Sequence, residues 1–383
     1  MAELFMYGDP RLLSGGDGVN QQSRNSYEYL PPTVGHGTTT AELEARRCDP
    51  EETPFELASA CGQQIHRGKS SYHSTPTYNN FLVAGQWPSA GIELETIMSE
   101  RARGRVREAL DAMRSNWFHF ERDGSLDDEH NGEYGYELIT EPLPPRVYRD
   151  PETWTGLENA VSPWLESFGH AECGLHIHVG TCQFAECEGI PLRNPDDRIA
   201  VGKALACMVY YHLAGQALVD RVTLRKSTEY CSPTANGAFT RPLASGKMTG
   251  AEFVDTAVSR LLEESQSAWA DGVDSVLPRV GRGSYPTPHF VNSVPQGLYG
   301  HHTEINAEHK YTLEFRRGKG TVHALSIHRM VELMTGIVRF AGKCCREPDA
   351  EVSRAAFLDF MSRTTTSEVL RKMIEKKGGT QCA

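Results

Sequence analysis

The stretch Gly174–Gly180, GLHIHVG, sets His176 and His178 two residues apart between apolar neighbours. On a strand, residues two apart share a face. Both imidazoles therefore stand on one side, with Leu175, Ile177 and Val179 on the other. Three more stretches alternate in the same way. GIELETI offers Glu93 and Glu95, GYELITEP offers Glu137 with Glu141 at the same parity, and TLEFRRG offers Glu314 and Arg316. Any one of them alone is what the wet face of a half-exposed antiparallel sheet looks like. Together they describe a floor of carboxylates with two imidazoles and a guanidinium. Carboxylates crowded on one floor repel each other unless cations occupy it. Hard oxygen ligands suit Mg2+ or Mn2+, with imidazole as a minority ligand. Such a floor can hold two ions that bridge the phosphates of a nucleotide.

The elements that must carry these residues follow from periodicity. The opposite face, with Ile92, Leu94, Leu138, Leu175, Ile177, Val179, Leu313 and Phe315, is apolar and expects helices against it. RARGRVREALDAMR (101–114) reads as a polar helix, and NWFHFERDGSL as a strand ending at the turn Asp123-Gly124. PETWTGLENAVSPWLESF starts a helix on its Pro and is interrupted near Pro163. A long helix is expected over Asp196 to Arg221 and another over Glu252 to Glu264. Thr321 reads as the N-cap of a strongly amphipathic helix with Ile327, Met330, Val331, Met334, Ile337, Val338 and Ala341 on one side. A last helix covers about Ser367–Lys377. Several period-two runs joined without regular crossover helices indicate an α+β fold, an antiparallel sheet with helices packed on one face. No P-loop and no internal repeat is found, which argues against a parallel dinucleotide-binding sheet.

The chain of 383 residues divides into an N-terminal extension (1–88), a catalytic domain (89–343) and a C-terminal helical tail (344–383). The extension is rich in Gly, Ser, Thr and Asn and poor in apolar periodicity, and reads as an arm that wraps or caps. Its TTTAELEARR could form a capped helix, and Cys48 and Cys61 lack the second pair that a zinc site requires. Residues 272–300, rich in Gly and Pro, read as a lid or binding loop. The net charge of −11 disfavours the whole chain as a binder of nucleic-acid backbones, though a local basic patch stays compatible with it. Ten cysteines in no compact framework fit a reducing cytoplasm. No secretory signal and no membrane span are apparent.

GIELE, ELITEP, CGLHIHVG, and LEFRRGKGT followed by the long amphipathic helix stand in the order in which similar motifs recur in the amidoligase family. That family comprises carboxylate–amine ligases of the glutamine synthetase and glutamate–cysteine ligase superfamily. The chain resembles it over about Gly91 to Ala341. The resemblance implies a glutamine-synthetase-like catalytic domain that uses ATP with Mg2+ or Mn2+. It implies Glu93, Glu95, Glu137, His176 and Glu314 as metal ligands, with Glu141 a companion of Glu137. His178 then matches a second histidine nearer the phosphates, and Arg316 the arginine that holds substrate carboxylate or transferred phosphate. Glu314, Arg316 and His178 would be catalytic, and His178, Arg316, Arg221, Arg225 and Lys319 would face the nucleotide. Asp123, Tyr230, Cys231, Asn306 and Gly320 look family-like as well. Their ordinary readings are turn former, solvated loop residue and strand-edge polar group.

The reaction so implied is ATP-dependent joining of a carboxylate to an amine through an acyl phosphate. Its partners would be small-molecule or peptide acids and amines, without a membrane, and a homo-oligomer is compatible with it. Competing readings are a phosphotransferase of similar fold, a zinc hydrolase built on H-x-H, and a degenerate site in a structural or binding protein. Carboxylates outnumber imidazoles in the floor, and no H-E-x-x-H occurs, which ranks the hydrolase lower.

Overall fold

The computed structural model describes residues 88–112, 118–123, 126, 134–140, 143–164, 173–193, 195–225, 247–259, 304–307 and 312–378. The arm at 1–87, the Cys48 and Cys61 pair, Glu141, Tyr230, Cys231, the loop at 272–300 and the expected helical residues 260–264 lie outside the described residues.

A six-stranded sheet carries the four alternating stretches. Its strands are β1 (Ala90–Met98), β2 (Phe118–Arg122), β3 (Tyr134–Thr140), β4 (Gly174–Gly180), β6 (Ile305–Asn306) and β7 (Thr312–Lys319). A separate pair joins β5 (Met248–Thr249) to β8 (Glu351–Val352). The large sheet runs in the order β2-β3-β1-β4-β7-β6, and every neighbouring pair is antiparallel. The α+β class expected from periodicity is therefore the observed one. Ile92, Leu94, Leu138, Leu175, Ile177, Val179, Leu313 and Phe315 are each at most 1% exposed, so the apolar parity is the core face. A one-residue slip in any strand would exchange this face for the charged one, so burial fixes the register.

The main helices are α1 (Glu100–Ala112), α2 (Pro151–Val161), α3 (Pro195–Met208), α4 (Gln216–Thr223), α5 (Ala324–Arg346), α6 (Arg354–Thr364) and α7 (Glu368–Gly378), with a short helix at Pro145–Tyr148 and helical residues 250–259 within the span expected to be a helix. Ala102, Val106 and Leu110 form the one buried stripe of the otherwise polar α1. In α5 the burial goes beyond the expected single stripe. Ser326, His328, Arg329, Glu332 and Thr335 are buried too, because α2, α3, α4, α6 and α7 all pack around this 23-residue helix. Its start also differs from expectation. The N-cap is His323, while Thr321 Oγ1 accepts the His323 N–H at 3.1 Å and Glu158 of α2 accepts the Ala324 N–H at 2.8 Å. A carboxylate from a neighbouring helix thus does part of the capping expected from a local side chain.

The long helix expected over 196–221 is broken in two. After α3 the chain widens into a π-helical turn, Val209–Ala214, and the Gly215 N–H bonds back to Tyr210 O at 3.0 Å. Gly215 then takes φ +70°, a conformation that costs a side-chain-bearing residue, and α4 begins. Among the described residues no helix is long and apolar enough to cross a membrane.

Candidate functional site

The charged face of the sheet brings its ionisable side chains together at the centre, over β1, β4 and β7. Glu93 stands opposite His176 in register, Glu95 opposite Glu137, and His178 opposite Glu314. His176 Nδ1 lies 3.3 Å from Glu93 Oε2 and 3.5 Å from Glu314 Oε1, and its Nε2 lies 3.4 Å from Glu95 Oε1. His178 Nε2 lies 3.0 Å from Glu93 Oε1 and 4.0 Å from Glu314 Oε1. Arg316 Nη1 donates to Glu314 Oε1 at 2.5 Å, and Asn306 Nδ2 donates to the other oxygen at 2.9 Å. Six of the expected residues therefore share one site: Glu93, Glu95, His176, His178, Glu314 and Arg316.

Ligand atoms fall into two groups, each within a span of 4.8 Å: Glu93, His178 and Glu314, and Glu95, Asp123 and Glu137. Asp123 and Glu137 both belong to the second group. His176 stands between the groups, within reach of a carboxylate from each. This division differs from the resemblance, which implies His176 as the ligand and His178 as the residue nearer the phosphates.

A β-bulge shapes the far side. Leu175 faces Gly318 and Ile177 faces Phe315, so Arg316 and Arg317 together oppose His176. Arg316 stays with Glu314. Arg317, 1% exposed, leaves for a second, buried cluster. Its Nη1 donates to Glu304 at 2.5 Å and its Nη2 to Asp220 at 2.5 Å, and Tyr210 Oη donates to Glu304 at 3.1 Å. Arg317 Nε also reaches the carbonyl of Arg225 at 3.4 Å. Arg225 follows Leu224, the one non-glycine residue with positive φ (60°) among the described residues. That turn directs the chain back to the floor. A Cβ on Gly174 would lie 2.8 Å from Arg225 Nη1, 3.0 Å from Glu95 Oε2 and 3.2 Å from His176 Nε2, so a side chain at the strand start would push these three groups aside. The Gly174 N–H donates to Glu95 Oε2 at 2.5 Å.

Of the remaining expected residues, Lys319 faces Gly174 in register and is exposed at the strand end. Gly320 follows it, with its N–H donating to Cys173 O at 3.2 Å. Arg221 is exposed on α4 and makes no hydrogen bond or ion pair with the floor among the described residues. The Arg317 cluster escaped the sequence reading. Its signal was there: alternation puts Arg317 on the apolar parity of TLEFRRG, where a charge demands a buried partner.

Electrostatics tie the floor together. Burial opposes the charge on Glu93, but the His178 cation and hydrogen bonds from His176 and His178 hold its carboxyl below the usual carboxylate range. Burial likewise opposes the imidazolium of His178, yet the charge and hydrogen bond of Glu93, helped by Glu314, push it up to about 9. Burial works against the Arg316 guanidinium, and Glu314, Glu95 and Glu93 more than compensate. In the absence of an ion, His178 and Arg316 thus serve as counter-charges for carboxylates that would otherwise repel. A donor set of carboxylate oxygens with one or two imidazoles fits Mg2+ or Mn2+, and an ion there would displace the His178 proton.

Compared with known proteins, the sequence matches no family model and no curated protein sequence.

Proposed function

We propose that this protein is an ATP-dependent carboxylate–amine ligase with a glutamine-synthetase-like catalytic sheet. The observation that carries the reading is the pair of ligand groups, Glu93–His178–Glu314 and Glu95–Asp123–Glu137, side by side on one antiparallel sheet and flanked by Arg316 and Arg225. Two hard cations held there would neutralise the phosphates of ATP and the charge developing in phosphoryl transfer. His176, between the groups, would orient carboxylates of both.

The chain's own residues have these roles. Arg316 presents a planar guanidinium to the substrate carboxylate or the transferring phosphoryl group, and Arg225 and Lys319 add positive charge at the other end of β4. Substrate carboxylate oxygen attacks the γ-phosphorus, the bond to ADP oxygen breaks, and an acyl phosphate forms. The amine nitrogen then attacks the acyl carbon, a floor carboxylate takes its proton, and phosphate leaves. Glutamate is the acid suggested by the resemblance, and the amine is a small molecule or a peptide. A reducing cytoplasm suits the buried thiols of Cys173, Cys187, Cys207, Cys344 and Cys345.

A phosphotransferase on the same sheet would stop after the first step. The discriminating experiment is ADP release with Mg2+ across a matrix of carboxylates and amines, with Glu314→Ala and His176→Ala beside the native chain. The ligase predicts release that requires an acid and an amine together and vanishes in both variants. Release with the acid alone would favour the phosphotransferase, and no ATP binding at all would refute both.

A further inference from the structure

The carboxylates at the centre of the floor share a pattern: each has its two oxygens committed to different partners. Glu93 Oε1 lies 3.0 Å from His178 Nε2, and its Oε2 lies 3.3 Å from His176 Nδ1. Glu95 Oε1 lies 3.4 Å from His176 Nε2, and its Oε2 accepts the Gly174 N–H at 2.5 Å. Glu314 Oε1 accepts from Arg316 Nη1 at 2.5 Å, and its Oε2 accepts from Asn306 Nδ2 at 2.9 Å. In Glu314 the two oxygens also serve different neighbourhoods. Oε1 meets the imidazoles, 3.5 Å from His176 Nδ1 and 4.0 Å from His178 Nε2, while Oε2 is held by the edge strand β6.

Asn306 is fixed in that place by its strand. It stands directly opposite Glu314 in the pairing of β6 with β7, so the two side chains share a face. The Arg316 N–H donates to Glu304 O at 2.9 Å, and the Ile305 side chain is fully buried, which anchors β6 beside the bond. Asn306 is 5% exposed and Glu314 2%. A bond so far from water holds its acceptor firmly, because a buried carboxylate oxygen that loses its donor keeps the cost of leaving water. Of the side chains that hold these oxygens, Asn306 alone cannot ionise, and it has no ligand role of its own in the floor.

The pattern bears on which ion fits. Ca2+ collects about six to eight oxygens and takes both oxygens of a carboxylate where it can, whereas Mg2+ demands a near-ideal octahedron at shorter distances and keeps several waters. A carboxylate with Oε2 tied to an amide offers Oε1 alone. We propose that Asn306 is a specificity-determining residue of the floor, holding Glu314 as a one-oxygen ligand so that the site takes Mg2+ or Mn2+ in preference to Ca2+. The inference rests on the reading of the floor as a cation site and names the ion that the site selects. Without Asn306, Glu314 can turn both oxygens to the ion, which supplies the additional oxygen that Ca2+ favours. An Asn306 that only supported the fold would act on every ion alike.

The test loads the full-length native chain with Mn2+ in the absence of nucleotide, counts free ion by electron paramagnetic resonance, and competes the bound ion with Mg2+ and with Ca2+. In the native chain Mg2+ should release Mn2+ at a lower concentration than Ca2+ does. Asn306→Ala should weaken Mn2+ and Mg2+ at the Glu93–His178–Glu314 group by about tenfold or more, as loss of an outer hydrogen bond to a metal ligand does. Ca2+ should weaken less, so that the gap between the two competitors narrows or reverses. Native Mn2+ that Ca2+ releases more readily than Mg2+ overturns the proposal, and this arm needs no variant to fold. A folded Asn306→Ala chain that keeps the native ratio of Mg2+ to Ca2+ overturns it as well. Either result leaves the cation floor standing, whereas a native chain that binds no Mn2+ refutes the floor and the proposal together.

Discussion

Two charged clusters lie a few residues apart on β7, and they solve the problem of buried charge in opposite ways. Arg317 sends one nitrogen to Glu304 and another to Asp220, and Tyr210 completes Glu304. One guanidinium holds two carboxylates by direct hydrogen bonds, as a structural cluster requires. The floor around His176 instead gathers carboxylates within 4.8 Å of one another. Like charges placed so close work against folding, and a protein keeps them where a ligand repays the repulsion. The bulge that splits Arg316 from Arg317 separates the two regimes by one peptide bond. Proximity in sequence therefore says little about role. The kind of partner each guanidinium meets says more.

The largest effect should come from breaking the paired cluster. Arg317→Met leaves Glu304 and Asp220 facing each other without their guanidinium and should cost about 3–5 kcal/mol, read as a lowered midpoint in urea. Glu137→Gln or Glu95→Gln, by contrast, removes repulsion from the floor and should leave the ion-free chain as stable as before or more so. If Arg317→Met and the floor variants cost the same, the distinction between the clusters fails.

Next comes the response to metal. Mg2+ at a hundredfold excess over its dissociation constant should stabilise the native chain by about 2.7 kcal/mol per site. Glu93→Gln and Glu314→Gln should lose that gain, each read against its own ion-free melt, which is itself lowered because His178 and Arg316 lose a counter-charge. Arg317→Lys, which keeps the charge, should retain it. Thermal melts with and without Mg2+ distinguish these outcomes.

A smaller effect, but one with a defined sign, depends on pH. Folded, His178 holds its proton up to about 9, against 6.5 for a free imidazole. The native state thus binds more protons across that window. The stabilisation is whole below about 6.5 and is lost as pH rises toward 9. Glu93 behaves in the opposite sense: its lowered carboxyl contributes above the usual carboxylate range, and the contribution fades as pH falls through it. A metal-bound imidazole has no such proton to lose, so the Mg2+-induced gain should grow from pH 6.5 to 9 while the ion-free stability declines. Paired pH series of melts would show the two curves diverging as pH rises, and curves that keep a constant separation would remove His178 from the ligand set.

The smallest effect concerns the turn into Arg225. Leu224→Gly relieves a left-handed leucine that is 52% exposed. Its native conformation should become easier by up to about 1 kcal/mol, partly offset by a freer unfolded chain. A urea midpoint that falls markedly would mean that the leucine side chain, rather than the turn, holds the segment.

Much of this was legible in the sequence because a sheet has a period of two. Glu93, Glu95, His176, His178, Glu314 and Arg316 share a parity, and antiparallel pairing turns shared parity into proximity. Pairing register was harder to read. Nothing local in GLHIHVG tells that His178 stands opposite Glu314 in register while His176, at the bulge, reaches the same carboxylate. The break at Gly215 was concealed by a continuous apolar stripe, although a glycine in LAGQ was a warning. The cap of α5 was misread by two residues because Glu158, distant in sequence, supplies the acceptor. Arg317 was passed over because a charge at a core parity looks like an exception until Glu304 and Asp220 are found beside it.

The most direct test of the central claim is a titration of the full-length native chain with Mn2+, counting free ion by electron paramagnetic resonance with and without ATP. The account predicts two bound ions per chain in the presence of ATP, one of them lost in Glu314→Gln and the other in Glu137→Gln. Binding that is absent, or that both variants leave intact, would contradict a floor built to hold cations.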